Sequence, residues 1–253
     1  MPSSSYSVNT SWYLELNHLA RESSWAHGIM STYSHLLGVG LLAVVLLGAW
    51  WRSRRSPAPA RAVAGVLWAA GGTVLAWIVA HYVLKPLVAE RRPYLALRRH
   101  VEVLLTRTHG YSFPSGHATV AGAVIVALLL ARRPVASALA TVLGLLLCFG
   151  RVYTGMHYPF DVVAGLLIGG SVVAVTWPVA TPVLRIVDTL LLHTPLSPLV
   201  RARARPSGSE PSALPAFGSA GTSHGEAPLL EAAQSTGAEG EGTDAPTEPP
   251  RGA

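Results

Sequence analysis

Charge is scarce in this chain, because only 13% of its 253 residues are Asp, Glu, Lys or Arg. Soluble domains usually carry about a quarter, so the shortage argues against a soluble domain and favours a membrane protein. Cysteine is also scarce, and the single Cys148 excludes both an intrachain disulfide and a cysteine zinc site. Lysine is equally rare: of the 19 basic residues, only Lys85 is not Arg.

The net charge of +6 is spread unevenly along the chain. Residues 1–206 carry 18 basic and 6 acidic residues, a net of +12, whereas residues 207–253 carry one Arg and 7 acidic residues, a net of −6. The acidic end has few branched apolar or aromatic residues, which predicts disorder. We therefore divide the chain into an N-terminal amphipathic segment (1–28), a transmembrane domain (29–200) and a disordered acidic tail (201–253).

Five runs without Asp, Glu, Lys or Arg stand out within the first 206 residues: 35–51, 62–80, 111–131, 134–150 and 162–184. Each is long enough for one membrane span once a few flanking residues are added. They predict an all-α integral membrane protein with a bundle of about five transmembrane helices. Segment 12–25 mixes Leu and Trp with charged residues, which indicates an interfacial amphipathic helix or, alternatively, a sixth span. The apolar runs also make membrane lipids, and not nucleic acid, the expected partner of the basic excess.

Arginine in the short loops predicts the orientation of the helices. Loop 52–61 carries four Arg, the turn at 132–133 carries two, and 201–205 carries three. In a five-helix bundle these sites share one side, which we assign to the cytoplasm together with the C-terminal tail. Loop 85–110 and the turn 151–157 then face the extracytoplasmic side.

Three polar clusters lie at the predicted outer ends of the spans: 85–93, 112–117 and 151–161. Together they bring three fixed cations, two imidazoles and one carboxylate to one mouth of the bundle: Lys85, Arg92, Arg151, His117, His157 and Asp161. Arginine donates paired hydrogen bonds to phosphate, and lysine supplies a point charge. The inventory therefore indicates a site for an anion with several oxygens.

The start of the helix at Ser115, Gly116 and His117 offers backbone N–H groups and a helix dipole to that anion, although Ser115 taken alone is equally an N-cap. His157 and Asp161 are one helical turn apart, so the carboxylate can fix the tautomer that a nucleophile or base requires. Asp161 alone is equally a residue that stabilises the helix dipole. We expect no metal and no other cofactor, because three neighbouring cations repel a divalent ion and only one carboxylate is present.

At these residues the sequence resembles the type 2 phosphatidic acid phosphatase superfamily. Its three blocks are Lys-x6-Arg-Pro, Pro-Ser-Gly-His and Ser-Arg-x5-His-x3-Asp. The first is matched from Lys85 to Pro93, the second from Pro114 to His117, and the third from Arg151 to Asp161. The likeness extends over about 75–185, with a weaker one over 12–74.

The resemblance implies a metal-independent phosphatase with a phosphohistidine intermediate. His157 is then the nucleophile, Asp161 its partner and His117 the general acid. The phosphate is held by the remaining motif residues: Lys85, Arg92, Ser115, Gly116 and Arg151. One departure is visible, since the Ser that opens the third block is Gly150 here, and its hydroxyl is missing.

Within the superfamily, the whole-chain layout is similar to bacterial undecaprenyl-diphosphatases of the bacitracin-resistance type. This implies a polyprenyl diphosphate that is hydrolysed to the monophosphate. Those enzymes often carry Asp where Gly116 stands, and Gly there is common in lipid phosphate phosphatases. Phosphatidylglycerophosphate and phosphatidic acid therefore remain open as substrates, as does a non-catalytic lipid-binding or transport protein.

Overall fold

A computed structural model describes residues 7–97 and 101–202 of the chain. Within these residues all regular secondary structure is helical. Six longer helices are present in the described residues, and we number them in chain order: α1 (Val8–Glu22), α2 (Ser24–Ser53), α3 (Pro59–Ile78), α4 (Gly116–Leu130), α5 (Pro134–Tyr153) and α6 (Pro159–Leu191). Helices α2 to α6 form the bundle. Helix α3 continues through the π-helical turn Val79–Leu84 into Lys85–Val88, and single helical turns are present at Pro93–Ala96 and Ser197–Val200.

Four helical segments in the described residues are long and apolar enough to cross a membrane: Ser24–Ser53, Pro59–Ala96, Pro134–Tyr153 and Pro159–Leu191. The apolar helix α4 is the fifth member of the bundle, but it has only 15 residues. Large apolar side chains cover the outside of the bundle, as Val135 and Val175 show with 82% and 77% of their surface exposed. Such a surface suits hydrocarbon and not water. The predicted fold class is confirmed.

Helix α4 is shorter than the uncharged run 111–131 that predicted it. Pro114 disfavours a helical conformation at Phe113 before it, and the helix begins at Gly116 after Ser115, which is in an extended conformation. The preceding residues instead form an extended loop at one end of the bundle. The same loop carries one of the three polar clusters.

Glycine allows α4 and α6 to approach each other closely. A Cβ on Gly169 would collide with the backbone carbonyl of Thr119, and one on Gly165 would lie 2.6 Å from the carbonyl oxygen of Ser115. The contact between these two helices is the most extensive in the fold. Because both helices begin at the same end, their tight packing fixes the second and third polar clusters relative to each other.

Helix α1 lies against the end of the bundle near the polar clusters, and it is not among the helices long enough to span a membrane. Its buried Asn17 donates to the carbonyl oxygen of Glu102 (2.8 Å) and accepts from the N–H of the same residue (2.7 Å). The Tyr13 hydroxyl donates to the carbonyl of Gly155. These contacts favour the interfacial helix over a sixth span, because α1 holds loops in place at one end of the bundle. The predicted disordered tail lies outside the described residues from residue 203 onward.

Candidate active site

The three polar clusters meet where α4 and α6 begin. The N–H of Ser115 donates to the carbonyl oxygen of Asp161 at 3.0 Å, which joins the second cluster to the third. The ammonium group of Lys85 donates to the carbonyl oxygen of Pro114 at 2.8 Å, which joins the first to the second. Residues separated by up to 76 positions in sequence therefore surround one site.

His157 and Asp161 form a buried pair at the centre of this site. Their exposed fractions are 2% and 0%, and Nδ1 of His157 lies 3.5 Å from Oδ2 of Asp161. The same carboxylate oxygen accepts the N–H of Tyr158 at 2.9 Å and the hydroxyl of Ser112. The Ser112 oxygen also lies 3.4 Å from Nδ1 of His157. These oxygens favour a proton on Nδ1, which leaves the lone pair of His157 on Nε2.

The sequence motifs assign no role to Ser112, although its hydroxyl joins the two central residues. It lies two positions before the Pro-Ser-Gly-His block, and serine in a loop has many other uses. Its backbone N–H donates to the carbonyl of Glu90 at 2.8 Å, which holds it in position. Only its position relative to His157 and Asp161 distinguishes it from an ordinary loop serine.

The surroundings of His157 favour its neutral form. Burial lowers the pKa of this imidazole well below its ordinary value of 6.5, and the cationic Arg151 and Arg92 lower it further. Asp161 opposes them and raises the pKa, but the net direction is downward. A neutral imidazole is the form that acts as a nucleophile or base.

Lys85 fastens the loop before α4. Its Nζ donates to three carbonyl oxygens, those of Tyr111 (3.0 Å), Ser112 (3.3 Å) and Pro114 (2.8 Å). An ammonium group has three protons, so all of them have acceptors in the protein. Lys85 therefore positions Ser112 as well as placing a positive charge at the site.

Arg92 and Arg151 are both buried, with exposed fractions of 7% and 5%. Arg92 donates from Nε to the carbonyl of Gly110 (3.1 Å) and from Nη1 to that of Met156 (3.3 Å). Arg151 donates from Nη1 to the carbonyl of Ser34 (3.2 Å), while its buried Nε has no partner among the described residues. Neither guanidinium pairs with a described carboxylate. Two buried charges in this state are strongly stabilised by an anion.

The start of α4 differs from a simple capped helix end. Ser115 is fully buried, but its hydroxyl does not cap the helix and has no partner in the described part of the chain. Its N–H is occupied by Asp161, so it is not free for an anion as the sequence suggested. The Ser115 hydroxyl and the first N–H groups of α4, beginning at Gly116, remain as donors.

A cavity of about 360 Å³ lies beside the start of α4, between helices α2, α3 and α4. Half-buried His117 lies on its wall with Gly116, and the remaining lining is mostly apolar: His35, Leu36, Val39, Gly40, Trp77 and Val120. His117, a predicted site residue, therefore borders a mostly apolar space.

Ser34 lies against Gly150, the position where the family pattern has serine. A Cβ on Gly150 would approach the Cβ of Ser34 to 3.0 Å, with the Ser34 hydroxyl 3.9 Å away. Ser34 is fully buried, and its hydroxyl has no partner among the residues described. In the regular helices such hydroxyls donate to the carbonyl four residues earlier, as Thr119 does to Ser115 (3.0 Å). Ser34 instead lies in the π-helical turn Tyr33–Leu37, a feature frequent at functional sites.

Within residues 7–97 and 101–202, no group of three or more His, Cys, Asp or Glu side chains lies close enough together to hold a metal ion. The residues of the site are cations, hydroxyls and a His–Asp pair. This donor set suits an anion with several oxygens.

The fold and the site thus define a helical membrane protein with a buried, cationic His–Asp centre. Residues 65–183, a little under half of the chain, match the PAP2 superfamily. All the predicted site residues fall within this range. The predicted resemblance is confirmed over these residues.

Curated relatives include undecaprenyl-diphosphatases. The chain is 36% identical to undecaprenyl-diphosphatase BcrC of Bacillus subtilis over 39% of its own length and 50% of the relative. It is 36% identical to an undecaprenyl-diphosphatase of Sulfolobus acidocaldarius (36% of this chain, 44% of the relative). It is 33% identical to mouse sphingosine-1-phosphate phosphatase 2 (35% and 26%). The chain therefore spans half or less of the length of these relatives.

Two solved structures share the fold. Aquifex aeolicus LpxE superposes with a TM-score of 0.52 at 22% identity, covering 70% of this chain and 99% of the other. A transmembrane PAP2-type phosphatidylglycerolphosphate phosphatase from Bacillus subtilis superposes with a TM-score of 0.50 at 20% identity, covering 69% and 87%. At these identities the likeness concerns the fold alone.

Proposed function

We propose that this protein is a membrane-embedded, metal-independent phosphatase that hydrolyses a lipid phosphate or diphosphate through a phosphohistidine intermediate. One observation carries the proposal: the buried His157–Asp161 pair lies within electrostatic reach of two buried guanidinium groups that have no described carboxylate partner. Phosphoryl transfer needs a nucleophile and fixed positive charge around the equatorial oxygens. This arrangement supplies both.

In the first step, Nε2 of His157 attacks phosphorus while the bond to the leaving oxygen breaks. Asp161 and Ser112 hold the Nδ1 proton and stabilise the charge that develops on the ring. His117 gives a proton to the leaving oxygen, and the lipid product departs. Water then attacks the phosphohistidine, His117 takes a proton from it, and the released phosphate leaves His157 neutral again.

The phosphate oxygens are held by those guanidinium protons of Arg92 and Arg151 that have no acceptor in the described part of the chain, by the hydroxyl of Ser115 and by the N–H of Gly116. Ser34 is the further hydroxyl donor that we propose for this pocket. Its position beside Gly150 and Arg151 supports this role.

The lipid tail occupies the apolar cavity beside His117. The cavity begins at the residue that we assign to protonate the leaving group, and its Leu36, Val39 and Val120 suit a hydrocarbon chain. A tail that remains among the helices places the phosphate at the cationic centre.

A polyprenyl diphosphate, hydrolysed to the monophosphate, is the substrate that we favour. The two undecaprenyl-diphosphatases at 36% identity support this choice. Gly116 and the relative named sphingosine-1-phosphate phosphatase 2 favour a second candidate class, the lipid monophosphates, including phosphatidic acid and phosphatidylglycerophosphate.

The test is phosphate release by the purified full chain from undecaprenyl diphosphate, phosphatidylglycerophosphate, phosphatidic acid and a water-soluble phosphate ester, with EDTA present. We expect the His157→Ala variant to lose about a thousandfold or more in kcat. The matched control is His193→Ala, since His193 lies beyond α6 and outside the site. Activity that survives His157→Ala, or that EDTA abolishes, contradicts the mechanism, and no turnover of any lipid favours a non-catalytic lipid-binding protein.

A further inference from the structure

A second cationic cavity lies at the opposite end of the bundle. It has a volume of about 450 Å³, and four arginines from three separate parts of the chain line it: Arg61, Arg132, Arg133 and Arg185. We call it the basic pocket. Helix α4, with 15 residues and a rise of about 1.5 Å each, separates it from the candidate active site by about 22 Å. It is therefore a distinct site.

The positive charge of the basic pocket has no counterpart in the described structure. Its lining includes no Asp or Glu, and none of the four arginines makes an ion pair with a described carboxylate. Asp188 lies on α6 close to Arg185 in sequence, but it is buried and both its carboxylate oxygens lack a described hydrogen-bond partner. Four like charges that converge on one cavity repel one another unless an anion neutralises them.

Hydrogen-bond donors in the basic pocket remain available. The buried Nε groups of Arg133 and Arg185 have no acceptor within the part of the chain that the structure describes. Arg133 is anchored from Nη2 to the hydroxyl of Ser53 (2.7 Å), so its guanidinium is fixed. Elsewhere at this end, Arg54 and Arg55 lie over tryptophan rings and do not line the pocket.

The short connection between α4 and α5 carries two of the four arginines, Arg132 and Arg133. Arg132 has a φ of +56° and its N–H donates to the carbonyl of Leu129 (3.0 Å), as in a helix end that glycine usually occupies. Glycine, the usual residue at this position, has no side chain, whereas Arg132 places a long cationic side chain there. The helices α3 and α5 also begin at this end, and the N-terminal dipole of each favours an anion there.

Part of the lining of the basic pocket is apolar, which favours an anion that also has an apolar part. Gly65, Leu130 and Trp177 line it beside the arginines. Arginine forks match phosphate oxygens, and the apolar wall suits the first part of an acyl chain. We propose that the basic pocket binds the phosphate of an anionic phospholipid headgroup on the membrane face opposite the candidate active site.

The experiment measures the thermal unfolding of the purified full chain with dioleoyl phosphatidylglycerol, with phosphatidylcholine or with inorganic phosphate at equal concentration. We expect phosphatidylglycerol at saturation to raise the unfolding midpoint by about 5 °C, with little effect of the other two. The Arg61→Gln/Arg185→Gln variant should lose most of this rise while its phosphatase activity is kept.

The matched control is the Arg55→Gln/Arg201→Gln variant, which removes the same charge at the same end of the bundle but leaves the pocket lining intact. An equal loss of the effect in this control shows diffuse surface attraction and overturns the proposal. If inorganic phosphate raises the unfolding midpoint as much as phosphatidylglycerol does, the proposal that the pocket binds a lipid is overturned. Because the readout is stability and not turnover, it is independent of the proposed phosphatase activity.

Discussion

At the scale of single residues, the candidate active site is an assembly of small polar groups around His157. Ser112 connects it to Asp161, Lys85 fixes the loop that carries Ser112, and Arg151 contributes an Nε that has no partner among the described residues. Each of these contacts crosses between segments that are distant in the sequence. The function of each residue therefore depends on the others being held in place.

The Ser34–Gly150 contact gives a prediction about one hydroxyl. Removing a buried hydroxyl that donates to a charged ligand costs about 1.5–3 kcal/mol, so Ser34→Ala should lower kcat/KM about tenfold or more. Gly150→Ser alone should impair activity as well, because its new Cβ lies 3.0 Å from that of Ser34. The double variant Ser34→Gly/Gly150→Ser removes the close contact and restores a hydroxyl. Its kcat/KM should therefore exceed that of Ser34→Ala and that of Gly150→Ser.

Steady-state kinetics on the best lipid of the substrate panel checks this order. Ser137→Ala is the matched control, since the Ser137 hydroxyl donates to the carbonyl of Ile125 (3.0 Å) away from the site. A Ser34→Ala enzyme with the kcat/KM of the control would show that the hydroxyl does not contact substrate.

The pH dependence follows from the lowered pKa of His157. Burial, Arg151 and Arg92 favour the neutral imidazole in the folded protein, so the nucleophile stays unprotonated below its ordinary value of 6.5. We expect the acid limb of kcat/KM to fall below pH 6.5, and an alkaline limb to follow deprotonation of the general acid. Above pH 6.5 the neutral form of His157 makes its full contribution to the free energy of unfolding, and this contribution is lost as the pH falls below 6.5 toward the lowered pKa. A pH profile with its acid limb at or above 6.5, or a flat one, contradicts this assignment.

At the scale of helices, the α4–α6 contact determines the site, because both helices begin there. The backbone bond from Ser115 to Asp161 joins their first residues, and the packed glycines further along keep the axes close. The helix α1 and its Asn17 hold the loop at Glu102 over the same end. The geometry of the site is thus a consequence of how the helices pack.

Enlarging Gly169 tests this dependence. In Gly169→Val the new side chain meets the Thr119 carbonyl, so α6 must move away from α4. Overpacking of this kind costs about 1–3 kcal/mol, and we expect a lower thermal midpoint together with loss of phosphatase activity. Gly48→Ala is the control, because no atom beyond its own stretch of helix lies within 4 Å of a Cβ there. Equal midpoints for the two variants would contradict a role of the α4–α6 contact.

At the scale of the whole molecule, two cationic sites lie at opposite ends of one apolar bundle. The arginine distribution predicts that the basic pocket faces the cytoplasm and the candidate active site faces outward. Such an arrangement places the two sites in contact with different leaflets of the membrane.

Cysteine labelling of intact cells tests the orientation. His109 and Arg55 are exposed at opposite ends, and the native Cys148 is buried. We expect a membrane-impermeant maleimide to label His109→Cys in intact cells and Arg55→Cys only after permeabilisation. The reverse pattern would place the candidate active site in the cytoplasm.

The amino-acid sequence by itself determined the membrane class, the approximate positions of the five spans and the three polar clusters, because hydrophobic length and motif spacing are local properties. It overestimated the length of α4, because the uncharged run 111–131 does not show where the extended loop ends and the helix begins. It also left open a sixth span at α1, because composition does not report that Asn17 pairs with the backbone of Glu102. Only the tertiary structure decided that Ser112 connects His157 to Asp161 and that Ser34 lies against Gly150. It also decided that the four arginines line one pocket. These contacts join residues far apart in the chain, and packing between helices, not sequence spacing, brings them together.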